Sequence, residues 1–184
     1  MIVALRPIHL LGSPILRQVS AAVGTVDATV RTLVQDLIDT MHADSGIGLA
    51  ANQIGVASQV AVVEVEDGGE PIVLIDPVVT AREGRERGEE GCLSIPDLFG
   101  DIDRARRITF ETTTLNNERV TLSAEGLEAR AIQHEVDHLH GVLFVDHLSP
   151  LKRRMLLAKW KKARKGQTGY LKEVTAQDEP MAGR

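Results

Sequence analysis

Only one cysteine, Cys92, stands in 184 residues, so no intramolecular disulfide can brace the chain. Aromatic residues are nearly as scarce, 3% of the sequence against 43% apolar, so the core has to be aliphatic, built from Val, Leu, Ile and Ala. No apolar run approaches the ~20 residues of a membrane helix. The opening MIVALRPIHLLGSPIL is broken by Arg6 and Pro7 and lacks the basic-then-apolar order of a secretory signal. A cytoplasmic protein with no membrane partner is expected. A net charge of −5 argues against nucleic-acid binding over the whole surface, and no DNA partner is expected. The charge is unevenly spread, however. Eight Lys or Arg and no acid lie from Lys152 to Lys165.

What is present reads as one domain. In DATVRTLVQDLIDTMHADSG, Val30, Leu33, Val34, Leu37, Ile38 and Met41 recur at helical spacing, with Asp27 as N-cap and an end before Gly46. QVAVVEVED and PIVLIDPVV, dense in Val and Ile, predict strands joined hairpin-fashion across Gly68-Gly69. REGRERGEE reads as a polar loop. RITFETTT and RVTLSA predict two further strands around an Asn116-Asn117 turn. A second helix is expected from about Gly126 to His140, closed by Gly141, with Leu127, Ala131 and Leu139 facing a core. A third runs from Pro150 to about Arg164. The fold class is α+β: antiparallel β-sheets packed around a central helix, with a C-terminal helix. Residues 167–184 are expected to form a flexible tail.

The second helix carries QHEVDHLHG, Gln133 to Gly141. Residues four apart share a helix face, so His134 and His138 can offer two imidazoles to one divalent ion. Glu135, one position on, is angled to reach water beside the ion without binding it. This is the H-E-x-x-H arrangement. His9, His42, His140 and His147 have no such setting and are read as structural or exposed. A catalytic divalent site usually has three protein ligands and one open position. Cys92, in EEGCLSIP before a proline-terminated strand, would complete a Cys-His-His set as a thiolate. Cation, thiolate and hydroxide then sum to zero charge, which suits a low-dielectric cleft.

GIGLAANQ, residues 46 to 53, supplies Gly46 and Gly48 for close backbone approach and Gln53 as a strong hydrogen-bond donor. No Lys-Ser or Lys-Thr pair follows, and the third glycine of a dinucleotide fingerprint is missing. The three segments together resemble the peptide deformylase family, whose members carry GxGLAAxQ, EGCxS and QHExDH in this order. Here they stand as Gly46–Gln53, Glu90–Ser94 and Gln133–His138, within a resemblance covering roughly residues 5 to 165.

The resemblance implies a catalytic domain over residues 1–166 that removes the N-formyl group from the N-terminal formylmethionine of new polypeptides, releasing formate. It implies Cys92, His134 and His138 as metal ligands and Glu135 as general base and acid. The Gln53 side-chain amide and the Leu93 backbone N–H would hold the oxyanion. Substrate would lie extended near Gly48 and Gly91, its methionine in a pocket walled by Ile47, and Glu90 and Arg104 would brace the cysteine segment as an ion pair. Fe(II) is the expected metal in the cell, while the donor set also admits Zn(II), Ni(II) or Co(II). Three positions depart from the family: Phe99 where arginine is frequent, and Asp103 and Ala105 where proline and tyrosine are common. These are expected to alter peptide affinity and preference and to leave catalysis alone. The basic stretch 150–165 suits contact with ribosomal RNA, as in some members.

Three rival classes make different demands. An HExxH metallopeptidase acting on short peptides takes its third ligand downstream, where only His140, too close, and His147 are offered, and it leaves EGCLS unexplained. A structural metal module needs a fourth ligand. A Cys-His hydrolase leaves the second histidine and Glu135 idle.

Overall fold

The structure, a computed structural model, describes residues 5–66 and 68–175. Helix α1 (Ala28–Ala43) starts where Asp27 accepts a hydrogen bond from Val30 N–H at 2.9 Å. That bond satisfies one of the donors a helix start leaves open. Val34, Leu37 and Met41 form its buried side, as their spacing requires. Strands β2 (Gly48–Ala50), β3 (Val60–Val63) and β4 (Ile72–Ile75) make an antiparallel sheet in that order. Every residue of β3 is buried, because Val60 and Val62 face the α1 cluster while Ala61 and Val63 face the cluster around α2 (Gly126–Leu139). A strand covered on both faces reads as a continuous apolar run.

A second sheet has the order β5 (Val78–Glu83), β8 (Arg107–Thr113), β9 (Arg119–Glu125). Its Ile108, Phe110 and Ala124 close on α2. A two-stranded hairpin, β6 (Glu86–Cys92) and β7 (Ile95–Arg104), stands between β5 and β8 in chain order. Helix α2 is thus enclosed. Ala129 to Val136 is an unbroken buried run that includes Arg130, Gln133, His134 and Glu135. A helix buried all round must find partners for such side chains, and those partners build the site. Helix α3 (Pro150–Ala163) packs Leu156 and Trp160 inward, and Trp160 Nε1 donates to Leu11 O at 3.1 Å. Among the described residues no helix is long and apolar enough to cross a membrane.

The antiparallel α+β architecture around a central helix is as expected, and five local expectations change. REGRERGEE is the end of β5 and most of β6. Its inward positions are Gly88 and Glu90 rather than apolar residues, and its outward Arg85 and Arg87 pair with Asp103 and Asp101 at 2.6 and 3.8 Å, so no apolar alternation marks it. Pro96, expected to end a strand, is the second residue of β7, a position where a missing N–H is tolerated. PIVLIDPVV breaks at Asp76, φ 48°, into β4 and β5 of different sheets. Leu127, expected in the core, is 54% exposed in the first turn of α2. Where a loose tail is expected, β10 (Leu171–Lys172) pairs with β1 (Ile8–His9), and Lys172 Nζ bonds Asp44 at 2.6 and 2.7 Å. Residues 176–184 lie outside the described residues.

Candidate active site

The continuous entry from β9 into α2 places His134 and His138 one helical turn apart on the side facing the hairpin. Their Nε2 atoms are 3.2 Å apart, and Cys92 Sγ, in the last residue of β6, is 3.2 Å from His138 Nε2. The three donor atoms lie within 4.8 Å of one another. A tetrahedral ion with ligands at about 2.0–2.3 Å needs donors roughly 3.3–3.6 Å apart. The two 3.2 Å spacings at His138 are close to that range, so the three donors are gathered at one candidate cation site.

Charge supports the same fit. Burial disfavours a charged His134, yet its contacts with Cys92 and Glu90 hold it well above its ordinary value. Burial, and then the charge on His134, push His138 well below its own. The cluster thus favours one positive charge where thiol and imidazoles meet, a charge that a bound cation would supply in place of the proton.

Glu90 ties His134 to the hairpin that carries Cys92. Its carboxylate accepts from Arg104 Nε at 2.9 Å and Nη2 at 3.1 Å, from Arg130 Nη1 at 2.9 Å, and from His134 Nδ1 at 3.0 Å. Burial opposes its ionisation, but His134 and Arg104 hold the carboxyl down at about 2. Because Nδ1 donates to Glu90, the lone pair of His134 is on Nε2, toward the cluster. Arg104 also donates to Asp137 at 2.6 Å, and Asp137 accepts from His147 at 2.7 Å. The chain of contacts runs from the hairpin across α2 to the residues before α3.

Glu135 is 4% exposed and lies against Gly48, where a Cβ would stand 2.4 Å from its Oε1. Any larger residue at 48 would have to displace that carboxylate. Burial lifts Glu135 to about 7, against the pull of the charge on His134, and a divalent ion alongside pulls in the same direction as that charge. Gln53 accepts from Ala50 N–H at 2.8 Å through Oε1, which orients its Nε2 toward Ser94 Oγ at 3.1 Å and Cys92 Sγ at 3.6 Å. Leu93 occupies the two-residue turn between β6 and β7, its side chain against Gly46.

These groups line a cavity of about 400 Å³ with Ile47, Gly48 and Gly91 in its walls. Every site residue expected from sequence lines this cavity except His138, which lies behind it against Cys92 and His134, and Arg104, which stands behind Glu90. Three contributors were not anticipated. Arg130, one turn before His134, is the second cation on Glu90. Ser94 and Asp137 orient Gln53 and Arg104. An arginine inside a buried helical stripe was the available signal for Arg130, legible only once α2 is known to be enclosed. Of the three departures, Asp103 pairs with Arg85 on the outer face of the hairpin, and Ala105 is bracketed through its backbone N–H and O by the Gln133 amide at 3.1 and 3.0 Å. Phe99 leans on Gly91 at the cavity mouth.

The polypeptide deformylase family matches residues 5–154. The peptide deformylase of Rhizobium meliloti (strain 1021) is 46% identical over 165 residues, 88% of this chain and 95% of that one. The crystal structure of a peptide deformylase from Legionella pneumophila has a TM-score of 0.84 at 39% identity, covering 89% of this chain and 98% of that one. The Met-Ala-Ser-bound crystal structure of class I type b peptide deformylase from Acinetobacter baumannii has a TM-score of 0.76 at 30% identity, covering 80% and 100%. Since the matched span takes in the glycine segment, the cysteine hairpin and the histidine helix alike, the chain belongs to the polypeptide deformylase family.

Proposed function

We propose that Cys92, His134 and His138 hold one divalent cation in this deformylase and that Glu135 carries the proton of the reaction. Family membership makes the chain a metal-dependent hydrolase that removes the N-formyl group from the N-terminal formylmethionine of newly synthesised polypeptides. The observation that carries the residue assignment is the meeting of one thiol and two imidazole nitrogens at 3.2 Å spacings, with a carboxylate seated against Gly48.

A formamide is a stable amide, so hydrolysis needs an activated nucleophile and a stabilised oxyanion. When bound, the cation supplies Lewis acidity, lowering the pKa of water toward ~7 and polarising the formyl carbonyl. Glu135 takes the proton of the attacking water and returns it to the leaving amine nitrogen. Gln53 Nε2, held in direction by the Ala50 N–H on its other end, donates to the developing oxyanion, and the Leu93 backbone N–H is the second donor. Such donors are worth roughly 2.7–4 kcal/mol each. Gly48 and Gly91, on facing walls, let an extended peptide backbone come close, and the methionine side chain enters the apolar cavity beside Ile47. The Met-Ala-Ser bound to the Acinetobacter relative supports a product that begins with methionine.

A thiolate with two imidazoles suits Fe(II), Zn(II), Ni(II) or Co(II), and family membership favours Fe(II) in the cell. A metallopeptidase is not favoured. Its downstream ligand would be His147, which is bonded to Asp137 instead. A cytoplasmic address follows from a substrate met where polypeptides are made. Ribosome contact through α3 belongs to the same proposal, supported by the exposed Lys161, Lys162 and Lys165 beside Arg164. Phosphate contacts of this kind weaken steeply with salt.

Formate release from formyl-Met-Ala-Ser should be abolished by a chelator and restored by Fe(II), while the free-amine peptide should stay uncut. Glu135→Gln should keep its metal and lose roughly 10²- to 10⁴-fold in kcat. Full activity in that variant would remove the role given to Glu135. Glu90→Gln leaves the buried Arg130 without its anion, leaves Arg104 with Asp137 alone and frees the His134 ring, so metal affinity should fall about 10- to 100-fold in a competition titration. Unchanged affinity would mean that Glu90 does not hold the ligand frame. Replacing Lys161, Lys162, Arg164 and Lys165 by Ala should abolish low-salt co-sedimentation with ribosomes, and unchanged co-sedimentation would dismiss the contact.

A further inference from the structure

A second cavity, about 410 Å³, lies between the outer face of β7 and helix α3. Glu89, Asp97, Leu98 and Phe99 line both this cavity and the catalytic one. The two cavities therefore adjoin along these four residues, with Phe99 between them, 59% exposed and leaning on Gly91 so closely that a Cβ there would stand 2.7 Å from its ring. Beyond Phe99 the groove is lined by Gly100, Leu148, Leu156 and Met155, the last 56% exposed on α3. The function proposed above leaves all of this unused.

We infer that the groove beyond Phe99 is the track for the stretch of substrate polypeptide downstream of the residues in the catalytic cavity, and that it favours an apolar side chain there. The inference rests on the deformylase reading of the catalytic cavity. Three observations carry it. The first is continuity: a polypeptide whose first residues fill one cavity must leave it, and the shared wall leads directly into the other. The second is charge. Lys152 and Lys159 on α3 face Glu89, Asp97 and Asp101 on the hairpin, so the opposed walls offset one another. A phosphate backbone would meet three carboxylates there, and neither an acidic nor a basic peptide gains. The third is the apolar remainder. Phe99 and Met155 stand in water at the two lips, and a side chain lying between them would be covered by both.

Phe99 is in this account a specificity-determining residue. It gives the peptide an apolar face where an arginine would give a hydrogen-bond donor. Selection moves from the substrate backbone to its side chains, and it should be insensitive to salt.

The test compares kcat/KM for formyl-Met-Ala-Ser with that for nine-residue peptides that begin with the same tripeptide and continue either with leucines at positions four to six or with serines there, using the metal-loaded full chain. The leucine peptide should exceed the tripeptide about tenfold, the gain expected from covering one apolar side chain, and the serine peptide should not. In Met155→Glu the leucine-to-tripeptide ratio should fall close to one. Met155→Leu, which keeps the apolar lip, should retain the ratio. A ratio near one in the unaltered protein overturns the inference, as does a tenfold ratio that survives Met155→Glu. No formate from the tripeptide would overturn the catalytic reading, and the groove assignment with it. Tripeptide turnover without a length effect would overturn the groove alone.

Discussion

The ion pair between the buried Glu90 carboxylate and its four donors is the interaction on which the site depends. Glu90 comes from the hairpin, Arg130 and His134 from the central helix, and Arg104 from the far end of β7. Cys92 lies two residues from Glu90, and His134 is bonded to Glu90 directly, so a single carboxylate sets the separation between thiol and imidazole. Removing a charge from so enclosed a pair is costly, because the partner charges remain behind without solvent. Its value to the protein lies in position more than in net stability.

That dependence explains why a helix so poor in apolar surface is central. Helix α2 offers Ala129, Ile132, Val136 and Leu139 to the aliphatic clusters and turns Arg130, Gln133, His134, Glu135 and His138 toward the hairpin and β2. Backbone as well as charge holds this polar face, although Glu135 Oε2 and His138 Nδ1 are buried without a hydrogen-bond partner among the described residues. Gln133 brackets Ala105, and Asn52 Nδ2 donates to His138 O at 2.6 Å. Function and fold use the same helix. Its apolar contacts dock it, and its polar contacts then fix the angle at which the two histidines point.

Much of this was legible in the residues. The α1 stripe, the β8–β9 hairpin, the limits of α2 and the cluster of Cys92, His134 and His138 all follow from periodicity and ligand chemistry. The hairpin strand β6 did not, because its inner face carries Gly88 and Glu90. A strand whose core-facing residue is a carboxylate paired with two arginines has the composition of a loop. Leu127 misled for the opposite reason: an apolar residue in the first turn of an amphipathic helix reads as core, but here it is exposed and lines the cavity beside the cysteine and histidines. Arg130 was invisible until the enclosure of α2 was known, since an arginine four residues before a histidine is ordinary on a solvated helix. In each case the sequence signal failed where a functional requirement displaced the usual sorting of apolar and polar residues.

The claim beneath the whole account is that one sulfur and two imidazoles share a cation. X-ray absorption at the metal edge of the zinc-loaded protein tests it most directly. The expected spectrum contains one sulfur scatterer at about 2.3 Å and two imidazole nitrogens at about 2.0–2.1 Å, with the sulfur lost in Cys92→Ser. A metal shell without sulfur in the unaltered protein would contradict it.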